Sequence, residues 1–155
     1  MEQKLRSKNL KSKNPVQEVL NGYYKNATVG ADSISCLLGS VENTSFRKEL
    51  FQQLDYYENQ KHTLTAQMAN YYQLPEQSVG TMAKFCSRMT IQMHKYCGLD
   101  VHESAKLMAE GTNMGMIQLH QVMNRNPDVP RAIRAQGEQI LTHEREYLDR
   151  IAPYL

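Results

Sequence analysis

The chain has no tryptophan, three phenylalanines and three cysteines in 155 residues. An odd cysteine count leaves one thiol without a mate, and no two cysteines have the CxxC spacing of a zinc or redox motif. Cys86 and Cys97 fall on one face of an expected helix, but about 16 Å apart along its axis, too far for a disulfide. A reduced, cytoplasmic protein is the expectation. No apolar run approaches the ~20 residues that a membrane span needs. The N-terminus has no apolar stretch behind its basic residues, so no secretory signal is expected. Strand-like alternation is nearly absent. There is no glycine-rich phosphate loop, zinc knuckle or Ser/His/Asp arrangement, which sets those enzyme classes aside.

Charge is close to balanced, with a formal net charge of +2. Lys4, Arg6, Lys8, Lys11 and Lys13 against Glu2 make residues 1–14 carry +4, which leaves −2 on the rest. One short basic run at a terminus reads as a solvated, disordered tail, and a nucleic-acid partner is not expected. Residues 15–155 are long enough for one domain with a real core.

What the chain has is helical periodicity, in five places. Asn14-Pro15 reads as a cap followed by proline at the first helical position. The stripe Leu20, Tyr24, Ala27, Ala31, Ile34, Leu38, Val41 follows at steps of four and three. Asn43 and Thr44 supply a turn and a new cap, and a second helix runs to about Gln73. Pro75 opens a third, with the stripe Val79, Met82, Cys86, Met89, Met93, Cys97, closed by Gly98. Asp100 with Glu103 caps a fourth, carrying Val101, Ala105, Met108, Thr112, Gly115, Leu119 and Val122. Asn126-Pro127-Asp128 breaks it. Pro130 begins the last helix, which continues almost to Leu155. The methionines at helical spacing read as core packing. In the Tyr-Tyr pairs at 23–24, 56–57 and 71–72, one ring points inward and the other outward.

Two short turns make two antiparallel hairpins, and the third helix, at ~33 Å, is long enough to cross from one to the other. The hairpins resemble each other weakly. Gly30, Leu38 and Val41 match Gly111, Leu119 and Val122 in spacing. Gln53, Leu54 and Glu58 match Gln139, Ile140 and Glu144.

The two matched glutamates are the most informative residues. Glu144 interrupts the stripe Ile133, Gly137, Ile140, Tyr147, Ile151. Glu58 interrupts Phe51, Leu54, Thr65, Met68, Tyr72. A core-facing carboxylate costs several kcal/mol unless it is paired, protonated or metal-bound. The expected mid-bundle layer holds Thr28, Glu58, Glu110 or Thr112, and Glu144, with Asp32 one turn away. His62, four residues after Glu58, has chelating spacing, whereas His143 points away from Glu144. Lys61, Tyr57 and Tyr147 offer a metal-free alternative, a cation and two phenols to satisfy buried carboxylates.

Two hairpins, a long crossover and inward mid-helix glutamates resemble the ferritin-like superfamily over residues 15–155. The resemblance implies an all-α, ferritin-like four-helix bundle with one added crossover helix. Its di-iron members take a Glu from one helix and Glu-x-x-His from the next in each hairpin. Here Lys61 and Tyr147 stand where histidine would, and no Glu-x-x-His occurs. Two functions are therefore expected to compete. One is a non-catalytic structural or interaction module with a degenerate carboxylate site and no cofactor. The other is an iron or manganese storage or oxidative-stress protein, holding a single ion on Glu58, Glu110 and Glu144 with His62 or Asp32 assisting. A homodimer is the expected assembly.

Overall fold

The structure, a computed structural model, describes residues 14–71 and 99–155. Among these residues it is all-helical, with no strand. Helix α1 spans Pro15–Leu38, α2 Thr44–Tyr71, α3 Val101–Arg125 and α4 Arg131–Ile151, and a short 3-10 turn, Ala152–Tyr154, follows. The expected basic tail and the expected third helix, with its methionines, Cys86, Cys97 and His94, lie outside the described residues.

The helix starts follow local chemistry. Asn14 Oδ1 accepts from the Val16 amide at 3.0 Å, and Pro15 needs no partner for an amide it lacks. Asn43 accepts from the Phe46 amide at 2.9 Å, and Asp100 from the Glu103 amide at 2.8 Å. The helix ends are handled differently. Arg47 Nη1 donates to the Leu38 and Val41 carbonyls at 2.6 and 2.8 Å. Arg134 Nη2 reaches the Met123 and Asn126 carbonyls at 3.1 and 3.3 Å. Each arginine comes from the start of the second helix of its hairpin and satisfies carbonyls that end the first.

The direction of each helix follows from its neighbours in the core. Val19, Leu20 and Tyr23, early in α1, pack with Leu64 and Met68 late in α2, Val122 and Met123 late in α3, and Ile133 early in α4. Ile34 and Leu37, late in α1, pack with Phe46 and Leu50 early in α2, Ala105 and Met108 early in α3, and Ile151 late in α4. So α1 and α4 run one way and α2 and α3 the other. The end of α2 and the start of α3 lie at opposite ends of the bundle. Helix α1 packs along both α2 and α3, and α4 packs along α3 and reaches α1 and α2.

In α1 the buried positions are Tyr23 and Leu37, with the expected Tyr24 and Leu38 only partly buried beside them, and the stripe of α2 departs further from its sequence reading. The buried residues of α2 are Phe46, Leu50, Gln53, Tyr57, Leu64 and Met68. Phe51, expected inside, is 52 % exposed. The helix is turned so that Phe46, Leu50 and Leu64 are buried together, which removes more apolar surface than Phe51 and Leu54 would. That rotation carries Glu58 off the core face and brings Gln53 and Tyr57 onto it.

Candidate functional site

The two apolar clusters meet at a polar layer, and Glu144 is its centre. In α4 it stands between Ile140 and Leu141, which belong to the first cluster, and Tyr147, which belongs to the second. Its exposure is 1 %. Three donors from two other helices close on it. Asn26 Nδ2 of α1 donates to Oε1 at 3.0 Å. From α2, Tyr57 Oη donates to Oε2 at 2.9 Å and Gln53 Nε2 to the same oxygen at 3.3 Å.

Two glycines make room for these donors. A Cβ at Gly30 would collide with the Tyr57 ring, and a Cβ at Gly115 with the Asn26 amide oxygen. The phenol therefore lies against the α1 backbone and the amide against the α3 backbone. All four helices thus meet around one carboxyl group.

Gln53 is the hub of a chain that runs outward. Its amide oxygen accepts from Arg150 Nη2 at 3.3 Å and pairs with His143 Nε2 at 3.0 Å. Since an arginine only donates, this oxygen assignment follows from chemistry, and the imidazole must carry its proton on Nε2 to donate as well. Arg150 also donates from Nε to Glu49 Oε2 at 3.1 Å and stands 5.6 Å from the Tyr147 ring centre. The His143 ring stacks on Tyr56 with centroids 3.4 Å apart. Outside this stack an open groove of about 480 Å³ runs between α2 and α4, past Gln60, Glu138 and Glu146.

Electrostatics follow from burial. Burial pushes the Glu144 carboxyl up from 4.5 to about 7, although the bonds from Tyr57 and Asn26 and the more distant Arg150 pull it down. Burial, then the nearby Glu144, holds the Tyr57 phenol well above its ordinary range. The same two causes raise Tyr147. Burial and Arg150 lower His143, so its imidazole is neutral near pH 7. The hydroxyls of Tyr147, Thr112 and Ser104 are buried without a hydrogen-bond partner among the described residues.

The other sequence candidates lie elsewhere. Glu58 has a 46 % exposed side chain and pairs with Lys61, whose Nζ is 3.0 and 3.1 Å from its two oxygens. Lys61 thus does pair with Glu58, but at the surface. Glu110 and His62 are exposed and Asp32 is half-buried on α1. Thr28 is buried, and its hydroxyl donates to the Tyr24 carbonyl at 2.8 Å. No three His, Cys, Asp or Glu side chains among the described residues are grouped so as to hold a metal ion.

The donor set also does not fit an iron or manganese ion. Such an ion needs several oxygen or nitrogen lone pairs aimed at one point. Both Glu144 oxygens instead face N–H or O–H groups, and two of the three donors are amide nitrogens with no lone pair to offer. Sequence reasoning identified Glu144 and Tyr57 but missed Asn26, Gln53 and Arg150. The available signal was Gln53, a glutamine five residues before a glutamate in both hairpins. No family model, curated protein or solved structure matches this chain.

Proposed function

We propose that this chain is a non-catalytic structural or interaction module, whose buried carboxylate layer fixes how its helices meet. The observation that supports this is the filling of both Glu144 oxygens by neutral donors from α1 and α2. A group so engaged, and only 1 % exposed, is not open to a substrate. It does have a geometric consequence. Buried polar partners are satisfied in one register only, so sliding a helix by one turn would strand several of them.

The ferritin-like arrangement is part of the same proposal. Helices α2 and α3 end and begin at opposite ends of the bundle, which is what two hairpins joined by a crossover require. The Glu144 layer is then a degenerate form of that superfamily's carboxylate site. Among the described residues, no helix is long and apolar enough to cross a membrane. A dimer of the chain completes the proposal, and light scattering of the purified chain reads it directly.

The deciding experiment is elemental analysis of purified, untagged full-length protein beside Glu144→Ala. Metal-free protein whose stability falls in the variant supports the structural module. Stoichiometric iron or manganese that disappears in the variant overturns it in favour of the metal-binding reading.

A further inference from the structure

Five large apolar side chains are exposed among the described residues. Tyr71 and Leu155 lie at the ends of the described segments, and Phe51 has the Arg47 guanidinium 5.7 Å from its ring centre. Met114 and Ile117 are different. They stand in the middle of α3, each more than half exposed. Three residues apart, they share one face of the helix.

Gly111, one turn before Met114, lies beside them. Cβ atoms at Gly22, Gly30, Gly115 and Gly137 would each press on a side chain from another helix. Those four glycines let a neighbour come close. A Cβ at Gly111 meets nothing within 4 Å among the described residues. Glycine inside a helix weakens it relative to alanine, so a bare position facing open space gains this bundle nothing. A close approach from outside the bundle gives Gly111 the same reason as the other four.

The face is self-complementary when two copies of α3 run antiparallel. With Met114 on the two-fold axis, Gly111 and Ile117 stand three residues to either side of it. Each copy's Gly111 then faces the other copy's Ile117, and the bare backbone receives the branched side chain. Eleven residues further out on either side stand Glu103 and Arg125, both exposed. Eleven residues are almost three whole turns, so both return to the face of Met114. Each acid therefore meets the other copy's base. Arg125 also reaches Glu18 of α1 at 3.5 Å and keeps most of its side chain in solvent. A parallel pair would instead set Glu103 against Glu103 and leave both glycine hollows unfilled. The stretch from Glu103 to Arg125 is ~33 Å long, with an apolar centre and charged ends, as an interface core and rim are arranged.

We propose that this face of α3 is where two copies of the chain meet. They pack antiparallel through Gly111, Met114 and Ile117, with Glu103 of each copy opposite Arg125 of the other. The inference rests on the dimer proposed above and adds its surface and its direction.

The test is sedimentation equilibrium of the full-length chain over a range of concentrations. The wild type is expected to dimerise. Met114→Glu sets two like charges against each other on the axis and weakens the dimer by about a hundredfold or more. Gly111→Leu fills the hollow and weakens it too. In dilute, dissociated protein the same position is open space, so there the substitution only adds helix propensity. Glu103→Arg and Arg125→Glu each weaken the dimer roughly tenfold, since the pair occurs twice, and the double variant restores it. All four positions are exposed, so circular dichroism of the variants is expected to match the wild type. A dimer that survives both Met114→Glu and Gly111→Leu overturns this face and leaves the dimer itself standing on another. Charge swaps without effect, or a double variant weaker than either single one, overturn the antiparallel pairing. A monomeric wild type overturns the face and the dimer together, and a Met114 that resists peroxide in that monomer assigns the face to residues 72–98.

Discussion

The two hairpins carry matched residues that do opposite things. Glu144 is sealed in the core with three donors, while Glu58 sits at the surface with Lys61. Gln53 is fully buried and bonds to Glu144, while its match, Gln139, is exposed at the groove. Gly30 is pressed by the Tyr57 ring, while nothing stands within 4 Å of a Cβ at Gly111. Three residues beyond the glutamate, the first hairpin has a lysine and the second a tyrosine. The pattern is consistent with burial. A surface carboxylate takes a hydrated cation, whereas a buried one is surrounded by neutral donors, because a second buried charge would carry its own desolvation cost. A shared spacing thus does not guarantee a shared environment; a small rotation of α2 separates the two glutamates.

The sharpest way to break this comparison is to remove each glutamate in turn. Glu144→Ala strands Asn26, Gln53 and Tyr57 and opens a void, so urea unfolding is expected to show a loss of about 3–5 kcal/mol. Glu58→Ala is expected to change stability by less than about 1 kcal/mol, because it removes only a partly exposed pair within one helix. Equal losses would mean that the two glutamates share one environment.

The next largest effect is on pH. The folded bundle keeps the Glu144 proton up to about pH 7, while the unfolded chain releases it near 4.5. Between those values the native state binds more protons, so stability falls as pH rises, by about 3 kcal/mol in all, and is level above pH 7. Stability curves of wild type and Glu144→Gln measured from below to above this window should share a slope outside it and differ within it.

The glycine pair offers a test with opposite signs. Gly30→Ala forces the Tyr57 ring away from Glu144 and is expected to cost about 1–3 kcal/mol. Gly111→Ala meets open space and is expected to stabilise by up to about 1 kcal/mol through helix propensity. Thermal melts of the two variants on either side of the wild type would confirm the asymmetry, and melts on the same side would remove it. The smallest effect concerns the turns, where the hairpins are alike. Arg47→Met and Arg134→Met each leave helix-ending carbonyls to water, and each is expected to cost about 1 kcal/mol by the same urea measurement. A much larger loss in one would show that the two turns are not equivalent.

Much of the architecture was legible from particular residues. Asn14-Pro15, Asp100 with Glu103, and the Asn126-Pro127 break mark helix ends because capping and proline chemistry act within a few residues. The stripe of α4 was also read in the right phase, because Ile133, Ile140 and Ile151 leave little choice of face. The phase of α2 was not. Phe51 and Leu54 invite one rotation and Phe46, Leu50 and Leu64 another, and local spacing does not rank them. The arginine clamps were missed for a related reason. A basic residue at a helix start opposes the helix dipole, and its use becomes plain only when the end of the preceding helix is beside it.

By itself, the sequence determined that the chain is helical, where α1, α3 and α4 begin, that short turns pair them into hairpins, and that one glutamate interrupts an unambiguous apolar stripe. Those are properties of a few neighbouring residues, decided by backbone hydrogen bonding and by the 3.6-residue period. Only the tertiary structure decided which of two matched glutamates is buried and which neutral groups surround it. Asn26, Gln53 and Glu144 lie on three different helices. Their meeting depends on how far each helix is rotated and how closely Gly30 and Gly115 let their neighbours approach. That is a matter of total buried area and polar satisfaction over the whole bundle, which no single segment contains.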